Sequence, residues 1–188
     1  MNHKRILESL TACEEAIRWY NDKDSKEAWA SCERGDWLLW IAANLRIDRK
    51  LIVLAACDCA EQSFYLIPEE EKRPKMAIET ARAWARGETS LEKVKVAARA
   101  ATNATYSTYA THATNAAYAA VNAAYSAVDT VNAYAAAACA TAAVAIYAAD
   151  YSTRKEDYST RKEGLKKSAE LVRNRISWIL IKEKLDEL

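Results

Sequence analysis

Only three glycines and two prolines punctuate the 188 residues of this chain. Sandwiches and barrels need many tight turns, and tight turns draw on Gly and Pro, so a β architecture is out of reach. Ala, the residue with the highest helix propensity, is also the commonest by a wide margin. The chain is therefore predicted to be all-α, a helical bundle of about six to eight helices with a long Ala/Tyr-rich helical segment. One domain is expected over residues 1–188: a Trp-rich helical half over 1–96, the Ala/Tyr-rich segment over 97–150, and a charged repeat with the C-terminal helix over 151–188.

Charge narrows the partners. Lys and Arg number 27 and Asp and Glu 26, for a net charge of +1. That balance gives no electrostatic basis for binding nucleic acid or an anionic membrane. The first twenty residues carry charges every few positions and lack the apolar core of a signal peptide. The longest uncharged run, 100–128, is studded with Thr, Asn and Tyr and is too polar to span a bilayer. A cytoplasmic protein is expected. Its five cysteines, Cys13, Cys32, Cys57, Cys59 and Cys139, are odd in number and spaced in no disulfide framework, so reduced thiols are predicted. Cys57 and Cys59 lie two residues apart, which on a helix points them to nearly opposite sides. His3 and His112 are the only histidines. No metal site, cofactor or catalytic triad is expected from them, and the protein is not read as an enzyme.

Periodicity and punctuation place the helices. Ile6, Leu10, Cys13, Ile17 and Tyr20 make one stripe of a helix over about 4–20. Asp24 is predicted to cap the next, with Glu27 as capping-box partner, and Gly35 to end it after Arg34. Asp36 is predicted to cap a central buried helix carrying Trp37 and Trp40, and Asp48 to cap one that reaches Ile67. Pro74 suits a first helical turn. Gly87 is predicted to end the following helix, and Thr89 with Glu92 to box the start of another. The segments Arg34-Gly35-Asp36 and Arg86-Gly87-Glu88 echo one another as helix stops. A single helix over 90–149 would be roughly 90 Å long. It must break near Thr102–Ser107 and Asp129–Asn132, fold into a hairpin, or project as a stalk. Thr102, Thr105, Thr108, Thr111 and Thr114 spiral around the axis, which argues against a flat ice-binding face. The duplication YSTRKED and YSTRKEG over 151–164 reads as a solvated helix segment.

Two groups of residues are candidates for function. The first is a cleft with aromatic walls and a charged rim: Glu33, Asp36, Trp37, Trp40, Asp58, Glu61, Glu79, Arg82, Trp84 and Arg86. Asp58 falls among apolar turns and needs a partner, for which Arg82 is the natural choice. The second is an interface on the Ala/Tyr segment, formed by Asn115, Tyr118, Asn122, Tyr125, Asn132 and Tyr134. Tyr offers a large contact area at low entropic cost, and Asn adds hydrogen bonds without charge. That surface suits a protein partner or a second copy of the chain. The cleft suits a small molecule or nucleotide held for sequestration, for example in phage–host or bacterial defence.

The stretches WASCERGDWLLWIAANLRIDRKLIVLAACDCAE, EEEKRPKMAIETARAWARGE and AELVRNRISW carry a resemblance. With the long Ala/Tyr segment between the last two, the chain resembles a bacterial family of predicted immunity proteins, the fifth-type immunity-like family of polymorphic toxin systems. GDWLLW and AIETARAWARGE are its specific parts, and the likeness covers nearly the whole chain. It implies a protein that binds and neutralises a toxin, and it carries over no catalytic residue.

Overall fold

The computed structural model of the chain describes residues 3–21, 23–107, 111–128, 135, 137, 138, 140–144, 146 and 159–188. Among them helix dominates and no strand occurs. Ten α-helices have definite bounds: α1 (His3–Ser9), α2 (Glu14–Tyr20), α3 (Ser25–Ser31), α4 (Gly35–Asn44), α5 (Arg49–Glu61), α6 (Arg73–Ala85), α7 (Leu91–Ser107), α8 (Thr111–Val128), α9 (Ser159–Arg175) and α10 (Trp178–Asp186). A 3-10 turn, Phe64–Leu66, follows α5, and the described residues between 135 and 146 are helical as well. The count exceeds the six to eight expected because the first and last helices read from the sequence are each cut in two.

The cut between α1 and α2 has no glycine. The Thr11 amide donates to Glu8 O (3.0 Å) and the Ala12 amide to Leu7 O (3.0 Å), closing a Schellman motif around Thr11 at φ +59°. A β-branched residue pays strain in the left-handed region, so no propensity rule flags this stop. α4 ends in the same way. Arg46 sits at φ +57°, its amide donating to Ala43 O (3.1 Å) and that of Ile47 to Ala42 O (3.0 Å). Only α6 ends as the glycine rule predicts. There Gly87 sits at φ +82°, with its amide on Trp84 O (2.9 Å) and the Glu88 amide on Ala83 O (2.8 Å). The last cut falls at Ile176–Ser177, between α9 and α10.

Gly35 overturns its expected role. It does not end α3, which closes at Ser31, but opens α4. A Cβ built there would stand 2.5 Å from the Ser168 Cβ and 2.8 Å from the Ala169 nitrogen of α9. Gly is required because two backbones meet, not because the chain must turn left-handed. Asp36, one residue further, lies inside the first turn of α4 rather than capping it. Its carboxylate instead accepts from Arg34 Nε (2.9 Å) and Nη2 (2.7 Å). Arg86 clamps Glu88 in the same two-pronged way, both bonds 2.7 Å. The sequence echo is thus real as an ion pair across a glycine, although the two glycines serve different ends.

Other punctuation falls where the side chains predict. Asp24 accepts from the Lys26 and Glu27 amides, each at 2.9 Å, and Asp48 from the Lys50 amide at 2.8 Å. Pro74 lies in the first turn of α6. The helix after Asp48 stops at Glu61, short of the expected Ile67, and continues only as the 3-10 turn. The expected box at Thr89 and Glu92 moves by one residue: α7 starts at Leu91, and the Lys93 amide reaches Ser90 Oγ at 3.4 Å.

The centre of the molecule is not α4. That helix buries Leu38, Leu39 and Ala42 on one side, while Trp37, Trp40 and Ile41 stay half-buried on the other. The most enclosed elements are α5 and α8. α5 packs against α4, α6, α8 and α9, and α8 against α5, α6 and α7. Ile52, Val53, Ala55, Ala56, Cys57, Cys59 and Ala60 of α5 are all shut off from solvent. The two cysteines do face opposite neighbours: the Cys57 thiol donates towards Ile78 O of α6 (4.0 Å) and the Cys59 thiol towards Ser168 O of α9 (3.8 Å). α7 and α8 pack on each other, and with three residues between them they must run antiparallel. Helix α7 continues through Thr102–Ser107, so no break falls at the first expected place. The second expected break, at Asp129–Asn132, lies outside the described residues, as do Cys139 and the first copy of the YSTRKE repeat. No described helix is long and apolar enough to cross a membrane.

Candidate functional site

The ten cleft residues are distributed over several places. Asp58, Glu61 and Arg82 do meet. Arg82 Nη2 donates to Asp58 Oδ1 at 2.8 Å and to Glu61 Oε2 at 2.6 Å, joining α6 to α5. Asp58 is 13% exposed and takes a second cation, Arg175 of α9, through Nε at 2.6 Å. Glu61 and Asp58 hold the Arg82 guanidinium above its ordinary pKa, and Asp58 does the same for Arg175. The Asp58–Arg82 pairing was legible from Asp58's apolar surroundings. Arg175 was not, because nothing local ties a residue 117 positions away to α5. The cluster locks three helices by charge-assisted bonds. Each carboxylate in it is already engaged.

Glu33 lies elsewhere, between Lys166 (3.0 Å) and Lys162 (3.5 Å) of α9, and these ammonium groups lower its pKa. Arg86 with Glu88 and the exposed Glu79 lie on the surface, and Trp84 packs half-buried against the core. Asp36 with Arg34 adjoins the third place, where Trp37 and Trp40 are found.

That place is a partly open cavity of about 100 Å³ where α1–α4 meet α10. Trp19, Trp29, Trp37, Trp40 and Trp178 line it, along with Tyr20. Trp19 and Trp37 meet edge to face with centroids 6.1 Å apart. The Lys23 ammonium lies 4.7 Å from the Trp19 ring centroid and the Arg34 guanidinium 4.3 Å from that of Trp37. The aromatic walls expected for the cleft are present, but no charged residue is among the described residues that line it. Arg173 braces the corner, its Nη1 donating to Cys32 O (2.8 Å) and Trp29 O (3.3 Å), the carbonyls at the end of α3. The sequence reading missed Trp178 as a wall because its stripe belongs to the C-terminal helices, which only the fold brings to α3.

The interface residues share a face of α8. Asn115, Tyr118, Asn122 and Tyr125 are spaced by three or four residues, so they form one stripe on a helix that otherwise points inward. Tyr118 is 36% exposed, and the other three are half-buried. Asn122 Nδ2 donates to Thr141 Oγ1 at 3.3 Å. Asn132 and Tyr134 lie outside the described residues. No group of three or more His, Cys, Asp or Glu side chains that could hold a metal ion occurs among the described residues.

The family model described as "Imm-5 like putative immunity protein" matches residues 45–182, more than two thirds of the chain, and the protein belongs to that family. The match takes in α5 to α9, the Asp58–Arg82–Arg175 cluster and the α8 face. Most of the cavity wall lies ahead of it. No curated protein and no solved structure matches the chain.

Proposed function

We propose that this protein is a cytoplasmic immunity protein that neutralises a cognate bacterial toxin by binding it, with no catalytic step of its own. Its membership of an immunity family over residues 45–182 is the observation that carries this reading. The α8 stripe supports a contact surface. It lies within the family-matched segment, and it sets an exposed Tyr between amides on a helix whose other faces are locked in the core. Tyr is a frequent binding hot spot when partner atoms enclose it.

The test is co-expression in a sensitive host with the toxin encoded beside the gene. The expected result is survival together with a complex that co-purifies. Survival without a complex would show that protection does not act through binding. Tyr118→Ser should weaken the complex about tenfold or more while leaving the helical circular dichroism intact. Light scattering of the free protein separates a toxin surface from a surface shared between two copies of the chain.

A further inference from the structure

The tryptophan-lined cavity takes no part in the toxin reading. We infer that it is a binding site for a small, neutral, single-ring aromatic molecule of the toluene or cresol class.

Three observations carry the inference. The first is size. An apolar cavity of about 150 Å³ holds benzene. A space of about 100 Å³ that is partly open admits one ring with its substituent at the mouth. The second is the chemistry of the walls. The described lining residues include no charged group, so an ionic ligand would lose its hydration without a charged side chain in the lining to replace it. The hydroxyls and the thiol of the lining are committed: the Tyr20 and Ser25 hydroxyls bond each other at 2.9 Å, and the Cys32 thiol donates towards Arg34 O at 3.7 Å. Burial pushes that thiol up to about 11, so it stays neutral. The third is the sign of the field at the rings. Lys23 and Arg34 lie over Trp19 and Trp37 without lining the cavity. A cation over a ring draws its π density and opposes a second cation, which argues against a quaternary ammonium ligand of the kind aromatic cages hold. Edge-to-face indoles favour a further aromatic ring.

The experiment follows tryptophan fluorescence and thermal unfolding of the full chain with toluene, p-cresol and benzyltrimethylammonium. Toluene and p-cresol should bind with dissociation constants of about 1 mM or below. Each should raise Tm by about 2–4 °C at five times that concentration. Benzyltrimethylammonium should do neither. Ala16→Leu places a larger side chain in the lining and should weaken toluene binding at least tenfold, and Ala28→Leu is the second variant should the first fail to fold. Nuclear Overhauser effects from the toluene methyl group to indole protons should place the ring directly. No binding by the wild type, equal or tighter binding of the ammonium, or unchanged binding by a folded filled variant would each overturn the assignment.

Discussion

Of the eighteen residues of α8, ten are buried, and eight of those ten are Ala. Around the cavity, by contrast, five tryptophans converge and leave a void. In the α5–α8 region small side chains let helix backbones approach until little space remains, as Gly35 and Gly164 also allow along α9. In the tryptophan corner, formed by α1–α4 and α10, rigid planar rings cannot interdigitate so closely. The largest side chains therefore do not make the tightest part of the molecule, because packing density depends on complementary shape rather than on area alone.

That contrast is open to direct attack. Leu39→Ala, at a fully buried site, should cost about 3–5 kcal/mol in denaturant unfolding. Trp37→Ala removes more atoms, yet should cost only about 2 kcal/mol because the ring is partly exposed and borders a void. A larger loss at Trp37 would mean that the corner is as well packed as the centre.

The buried thiols test the core by pH. Burial raises Cys57 from an ordinary 9.0 to about 12, and Cys32 to about 11. A raised value in the folded state means stability that is complete below pH 9 and drains as the pH climbs towards the folded value. At pH 10 each thiol should therefore withdraw about 1.4 kcal/mol. Cys57→Ala should remove its share of that slope when unfolding is compared at pH 8 and pH 10. At neutral pH, among the described cysteines, the exposed Cys13 should react first with a thiol reagent, while Cys32, Cys57 and Cys59 remain protected.

Filling variants sharpen the comparison further. Ala120→Leu, fully enclosed in α8, should destabilise by about 1–3 kcal/mol through overpacking. Ala16→Leu at the cavity should change stability by less than about 0.5 kcal/mol, since space is waiting for it. Equal penalties at the two sites would show that the cavity closes in solution. The smallest effect is expected at the α1–α2 cut. Thr11→Gly relieves a β-branched residue at φ +59° and should add about 0.5–1 kcal/mol, read as a rise in the unfolding midpoint.

The two regions also differ in how far they could be read in advance. Asp24, Asp48, Pro74 and Gly87 act on backbone groups within a few residues of themselves, and they stand where the sequence places them. The break at Thr11 was invisible, and so was the left-handed form of the stop at Arg46 in the expected gap before Asp48, because each places an unfavourable residue in a left-handed turn that only the surrounding packing enforces. The candidate cleft was legible as a set of residue types but not as a place. Asp58 and Glu61 of α5 turn to cations of α6 and α9, whereas Trp37 and Trp40 of α4 turn to the cavity.

Residue composition alone determines that this chain is helical, since Ala favours the helix and five Gly and Pro residues cannot turn a sheet. Capping chemistry determines several of the ends, because it acts within one turn. Tertiary structure alone decided that Gly35 answers to Ser168, that Asp58 takes Arg175 as well as Arg82, and that Trp178 closes a cavity begun by Trp19. These are contacts between residues more than a hundred positions apart. Their register depends on how whole helices stack, and no local preference carries that information.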